Sequence, residues 1–316
     1  PLLPAELRHA ARPVLHVPLV ILPLLLTTAP ALATVHGHAE DFSTTLYRDV
    51  ANTTADWDVV AGELRLPAVL APLGVYDTPG NARAVAVSGD RAYVADNLAG
   101  LRILDVGATG YPASLGVYDT PGNANGVAVA GRHAFVADGA TGLVVLDASN
   151  PASPALVGTC DTPGSAHGVA VAGNHAFVAD SNYGLRVIDI TNPAAPTQVA
   201  SAKLADDGWA ITLDGSYAFV SILAGGVQVF DVSTPTSPVL LATFRTHGSA
   251  YGVAVAGDWA YVAVDANGLA VLDVSDPSAP VGGATLPLSG NTRGVAADGD
   301  YVYVACGAGG LQVVDV

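Results

Sequence analysis

Arg83, Asn125, His167, Trp209, Tyr251 and Arg293 recur every 42 residues and change chemical type from copy to copy, while the residues on either side of them stay small. Those flanking residues are Ala or Gly, with Thr292 the exception. Large polar and aromatic side chains on a small-residue background are what a binding mouth uses to grip a partner. The alternative is a row of solvated turn residues. As catalysts the six offer His167, Arg83 and Arg293, but no matched acid–base pair.

A second set is Asp96, Asp138 and Asp180, at one position of three successive copies, followed there by Ile222, Val264 and Cys306. Carboxylates converging with loop carbonyls could hold Ca²⁺, the one cofactor to consider. Aspartate at a strand end is also a common turn former. His133 and His175 share a position with Arg91, Tyr217, Trp259 and Tyr301, which marks a turn residue rather than a ligand. The sequence holds no His-Glu-x-x-His, Gly-x-Ser-x-Gly, Cys-x-x-Cys or complete calcium-loop pattern.

The elements that must position these residues follow from the same period. An aromatic falls at Tyr93, Phe135, Phe177, Phe219, Tyr261 and Tyr303, and an aspartate at Asp105, Asp147, Asp189, Asp231, Asp273 and Asp315. Sixfold repetition makes those aspartates structural. In the first copy, Ala84 to Val87 reads as a short strand of small residues, and Gly89 supplies the positive φ of a tight hairpin. The second strand is Ala92 to Asp96, the third Leu101 to Val106, and the fourth Leu115 to Tyr118. Four short antiparallel strands per unit, without helical periodicity, predict an all-β fold, a β-propeller with six blades visible. The varied position precedes each innermost strand, so its six residues should surround one mouth of the central channel, beside loops such as 181–183 and 265–267. The last copy ends after its third strand, and Leu73-Gly74-Val75-Tyr76 offers the missing one, closing the ring near residues 73–77. A fragment with further blades beyond residue 316 is the alternative.

Gly184-Leu185-Arg186-Val187-Ile188-Asp189-Ile190 and Gly268-Leu269-Ala270-Val271-Leu272-Asp273-Val274 resemble the LVIVD repeat. The resemblance covers about residues 73–316. It implies a β-propeller of the kind found in exported or surface-attached bacterial and archaeal proteins, with no common catalytic site. The fourth copy departs from the pattern, since Ile222 stands where Asp96, Asp138 and Asp180 stand.

Residues 1–33 read as a signal peptide: Arg8 and Arg12 precede an apolar stretch from Val14 to Leu26, and Ala31-Leu32-Ala33 supplies the small residues for cleavage. Pro18 and Pro23 interrupt the stretch, which argues against a membrane anchor. Residues 34–69 fall outside the repeat and suggest a strand-turn-strand extension, with the propeller over 70–316. The formal charge of −16 disfavours nucleic acid and anionic lipid as partners, and Lys203 is the only lysine. Cys160 and Cys306 occupy different repeat positions, which argues against a disulfide.

The expectation is therefore a secreted or cell-surface, monomeric, non-enzymatic scaffold. It would bind an extracellular protein or carbohydrate through the face carrying the mouth. The competing classes are an exported propeller hydrolase or oxidoreductase with a metal or small-molecule site at the mouth, and a structural spacer within a longer surface protein.

Overall fold

The computed structural model describes residues 56–58, 63–65, 75–107 and 112–316. The chain divides into two compact units, residues 1–72 and 73–316. In the first, Asp56–Asp58 pairs antiparallel with Glu63–Arg65, Trp57 facing Leu64 across the ladder. The signal-peptide segment expected over 1–33 lies outside the described residues. No helix among the described residues is long and apolar enough to cross a membrane.

The second unit is six consecutive antiparallel sheets, each a simple meander. The first strands are Ala84–Ser88, Gly126–Ala130, Gly168–Ala172, Ile211–Asp214, Gly252–Ala256 and Gly294–Asp298. The second strands are Arg91–Ala95, His133–Ala137, His175–Ala179, Tyr217–Ser221, Trp259–Ala263 and Tyr301–Ala305. Third strands follow at Leu101–Asp105, Leu143–Asp147, Leu185–Asp189, Val227–Asp231, Leu269–Asp273 and Leu311–Asp315. Blades 1 to 5 add a fourth strand at Ala113–Tyr118, Ala155–Cys160, Thr197–Ala202, Val239–Phe244 and Val281–Leu286. First strands of consecutive blades pack side by side. This is the expected propeller of six blades.

Local chemistry explains each blade. Gly131 turns the first strand of blade 2 into the second with φ of 59°, and Arg132 after it is outside the left-handed region, as a type II′ hairpin requires. The second-strand aromatic faces a small residue on one side and an aliphatic one on the other: Phe177 lies between Ala170 and Val187, and Phe135 between Ala128 and Val145. At the end of the third strand, the Asp147 and Asp189 carboxylates accept the N–H groups of Ser149 and Thr191, and Asp105, Asp231 and Asp273 do the same two residues on. Those aspartates are turn formers, as their sixfold repetition implied.

The apolar core lies between blades rather than within them. Tyr93, Leu101 and Ile103 of blade 1 pack on Val127, Val136 and Leu146 of blade 2, and the same set of positions meets at every later junction. Each blade thus has a front face that enters the next blade and a back face that receives the previous one. At the ends of the series the pattern stops. The closing strand expected near 73–77 is not among the described strands: residues 73 and 74 lie outside the described residues, and 75–77 are not in a strand. The sixth sheet has three strands, and the first strands of blades 1 and 6 do not pack as neighbours.

Candidate functional site

All six residues of the varied position are held by one device. The N–H groups of Arg83, Asn125, His167, Trp209, Tyr251 and Arg293 donate to the carbonyls of Ala95, Ala137, Ala179, Ser221, Ala263 and Ala305 at 2.8–2.9 Å. From Asn125 to Arg293, the residue before each of them is in turn fixed by the preceding blade. Ala124 and Asn97 exchange two backbone hydrogen bonds, as do Ala166 and Gly139, while Gly208, Ala250 and Thr292 donate to Ser181, Leu223 and Asp265. The loop residue in this pairing takes a left-handed conformation, with φ of 52° at Asn97, 47° at Ser181, 39° at Leu223 and 46° at Asp265. Strained backbone at a repeated position signals a constraint imposed by the surroundings. Here it locks the mouth loop of one blade to the varied residue of the next.

The small flanking residues now have a physical cause. A Cβ at Gly126 would lie 2.5 Å from the His167 carbonyl oxygen, and one at Gly168 would lie 2.9 Å from the Trp209 carbonyl oxygen. Neighbouring first strands approach so closely that only the varied side chain has room to project.

The structure brings four of the six together in a continuous ladder. The His167 and Trp209 rings stack at 4.4 Å between centroids and 17° between planes. Tyr251 meets Trp209 edge-on at 5.4 Å, and the Arg293 guanidinium lies over the Tyr251 ring at 3.9 Å. Arg293 also pairs with Asp265 of the preceding loop at 3.6 Å. Asn125 stands beside the ladder, donating to the Ala166 carbonyl (3.1 Å) and accepting from the Asn97 amide (3.3 Å). Arg83 is exposed, outside the ladder, with its charge felt at His167.

Burial holds the His167 imidazole below its usual range, Arg83 adds to this, and Asp207 and Asp180 oppose it. A histidine whose folded value is depressed stabilises fully above its unfolded value, about 6.5, and loses that contribution as pH falls towards the folded value. Thermal melts of the wild type should therefore drop from pH 7 to pH 5 by more than those of His167→Phe, which keeps a ring on Trp209 but cannot protonate.

Asp96, Asp138 and Asp180 are fully buried, each in a separate blade, and are not brought together. Asp96 accepts from Thr78 Oγ1 (2.7 Å), the Gly80 N–H (3.0 Å) and Arg102 Nε (2.8 Å). Asp180 accepts from Thr162 Oγ1 (2.8 Å), the Gly164 N–H (3.0 Å) and Arg186 Nε (3.3 Å). Asp138 accepts from the Gly122 N–H at 2.7 Å with Thr120 beside it, but Val144 stands at the arginine position. Each aspartate thus clasps the Thr-Pro-Gly turn that leads into its own blade. Among the described residues no group of three His, Cys, Asp or Glu is placed to hold a metal ion. Because these carboxylates are already engaged, melts with excess Ca²⁺ and with a chelator should superimpose. A bound ion at about 100 times its dissociation constant would add roughly 2.7 kcal/mol, and such a rise would restore the calcium reading.

Sequence reasoning missed the clasp, although a signal for it was present. Thr-Pro-Gly at 78–80, 120–122 and 162–164 accompanies the three aspartates. Where the aspartate becomes Ile222, the threonine becomes Leu204, and the two pack in one apolar cluster. In that fourth blade Gln228 replaces the arginine and accepts the Ala205 N–H at 2.9 Å.

The family model for the LVIVD repeat matches residues 79–120, 121–162, 163–203, 206–246, 247–282 and 289–316. No curated protein matches the chain. Among solved structures, a functionally unknown protein from Desulfotomaculum acetoxidans DSM 771 is similar at 14% identity and a TM-score of 0.61, over 77% of this chain and 86% of that one. The Cps50 (Swd1) β-propeller domain of Myceliophteria thermophila is similar at 12% identity and a TM-score of 0.60, over 83% and 89%. BamB from Moraxella catarrhalis gives 16% identity and a TM-score of 0.53, over 76% and 73%. At these identities the likeness is one of fold alone.

Proposed function

The chain belongs to the LVIVD repeat family of β-propellers, and from that premise we propose that it is an exported, non-enzymatic scaffold whose mouth face binds a protein or carbohydrate partner. The observation that carries this reading is the ladder from His167 through Trp209 and Tyr251 to Arg293. Aromatic and arginine side chains, pre-set in position with the rings half-buried and Arg293 exposed, are the residue types that dominate binding energy at interfaces. Stacked rings lose little freedom on contact, and they suit the apolar face of a sugar as well as a protein side chain. The ladder's own polar groups are engaged in this packing: His167 stacks on Trp209, with burial lowering its imidazole from the usual range, and Arg293 is shared between Tyr251 and Asp265.

The test is capture by the immobilised chain from a panel of oligosaccharides and of exported proteins, run beside a Trp209→Ala, Tyr251→Ala double variant. Partners retained by the wild type and lost by the variant support the reading. Equal retention by both would move the binding face elsewhere, and turnover of a panel member would replace the scaffold with an enzyme.

A further inference from the structure

The three aspartate clasps are not alike, and the odd one lies beside the start of the ladder. In blades 1 and 3 both carboxylate oxygens are engaged: Oδ1 of Asp96 and Asp180 accepts from threonine, and Oδ2 accepts from glycine and arginine. In blade 2, Oδ2 of Asp138 keeps its glycine bond, but Oδ1 and the Thr120 hydroxyl oxygen are both buried without a hydrogen-bond partner. Asp138 has no exposure at all and Thr120 only 5%. Buried polar atoms of native folds are almost always paired, so two orphans side by side need a cause.

A missing proton supplies one. Among the described residues no basic side chain pairs with Asp138, and Val144 stands where Arg102 and Arg186 stand. Thr120 on the turn and Thr141 on the loop bring hydroxyls to the carboxyl, and the charge acting on it, that of Asp119, has the same sign. The neighbouring loop of blade 1, Asn97-Leu98-Ala99, carries no charge, and Arg102 there is held by Asp96. On the blade 3 side, the charges acting on His167 are those of Asp207, Arg83 and Asp180. An ionised Asp138 thus has no cation, and burial opposes it. The undissociated acid can donate, and Thr120 Oγ1 beside it is an unpaired acceptor.

Both parts joined by this clasp run to the same residue of the mouth. The turn continues to Asn125, whose amide donates to the Ala166 carbonyl at 3.1 Å. Gly139, directly after Asp138, exchanges two backbone hydrogen bonds with Ala166. Ala166 precedes His167, the first ring of the ladder.

We propose that Asp138 is a pH-operated latch on the mouth: as the undissociated acid it donates from Oδ1 to Thr120 Oγ1 and fastens turn to loop, and on ionising it releases Thr120 and loosens Asn125 and His167. The latch is closed in acid and opens as pH rises. That is the order a raised carboxyl requires, with its contribution complete below the unfolded value, about 3.9, and lost through the folded one. The consequence for partner binding rests on the mouth being the binding face.

Amide hydrogen exchange of the full chain, followed by NMR and corrected for the intrinsic rise of exchange with pH, tests this. Gly80, Gly122 and Gly164 donate to the three aspartates and report all three clasps in one sample. From pH 4 to pH 8 the protection of Gly122 should fall roughly fivefold, the size of one lost hydrogen bond, while Gly80 and Gly164, on arginine-paired aspartates, hold steady. Asp138→Asn, a permanent donor and acceptor, should make Gly122 steady, and so should Val144→Arg, which supplies the cation of blades 1 and 3. Ala166 should follow Gly122 in a His167→Phe background, where no imidazole titrates. A Gly122 that holds steady in the wild type, or still responds to pH in Asp138→Asn, overturns the proposal. Protection of Gly122 that rises with potassium chloride at fixed pH also overturns it, because a bound cation then fills the arginine's place. Exchange is read without a partner, so the latch can fail while the binding reading stands, and the reverse.

Discussion

Asp180→Ala is expected to cost about 3–5 kcal/mol at pH 7, the range for removing one partner of a buried charge pair. The carboxylate is fully buried and accepts from Thr162, Gly164 and Arg186, which is itself only 9% exposed. Alanine would leave a buried guanidinium without its anion and release the turn that leads into blade 3. Asp180→Asn keeps an acceptor for the threonine and glycine but loses the charge, so its cost should be smaller. Adding Arg186→Ala to Asp180→Ala should cost less than the sum of the two, because the second change removes the unpaired cation. Urea unfolding of the four proteins measures this directly. Additive costs, or an Asp180→Ala cost within 1 kcal/mol of zero, would remove the clasp from the account.

Blade 2 supplies an internal contrast. Asp138 has the same turn to hold but faces Val144 instead of an arginine, and burial pushes its carboxyl above the usual carboxylate range. An aspartate whose folded value is raised contributes stability that is complete below the unfolded value, about 3.9, and lost as pH rises through the folded one. Burial without an arginine partner works against the ionised carboxylate, so the same substitution that is costly in blade 3 should cost less here.

The period of 42 residues made the blades, their order and the six mouth positions legible, because a repeated residue next to a varied one can be recognised without coordinates. Phe177 and Asp189 follow from that pattern, and so do the constant small neighbours of His167, whose cause is the close approach of adjacent first strands. Two things were not legible. The partners of Asp180 lie six residues away in the third strand and sixteen and eighteen away on the preceding turn, and only the joint change of Thr162 to Leu204 and Asp180 to Ile222 hints at their contact. The exposure of residues in the first and last blades is hidden for a different reason. Val85 and Leu311 are the same residue types as buried counterparts, and a hydrophobic pattern records which face is apolar, not whether anything covers it.

Trp209→Ala should weaken partner capture at the mouth by at least about 30-fold, the equivalent of a hot-spot loss near 2 kcal/mol, while leaving the propeller folded. Trp209 is the joint of the ladder: one contact is the stacked His167 ring and the other the edge-on Tyr251 ring, which carries Arg293. Removing the indole separates the imidazole from the tyrosine–arginine pair, so both halves lose their orientation along with the apolar surface between them. The core between blades is formed by other residues, among them Phe177, Val220 and Phe230, so the melt should fall by little more than the aromatic contacts themselves, about 0.5–1.5 kcal/mol each. Trp209→Phe keeps a ring between the two neighbours and should recover most of the affinity. Asn125→Ala, beside the ladder but not in it, should change capture less than either. If Trp209→Ala binds like the wild type while Asn125→Ala does not, recognition lies on the half of the mouth nearer Arg83, and the ladder is packing that braces it.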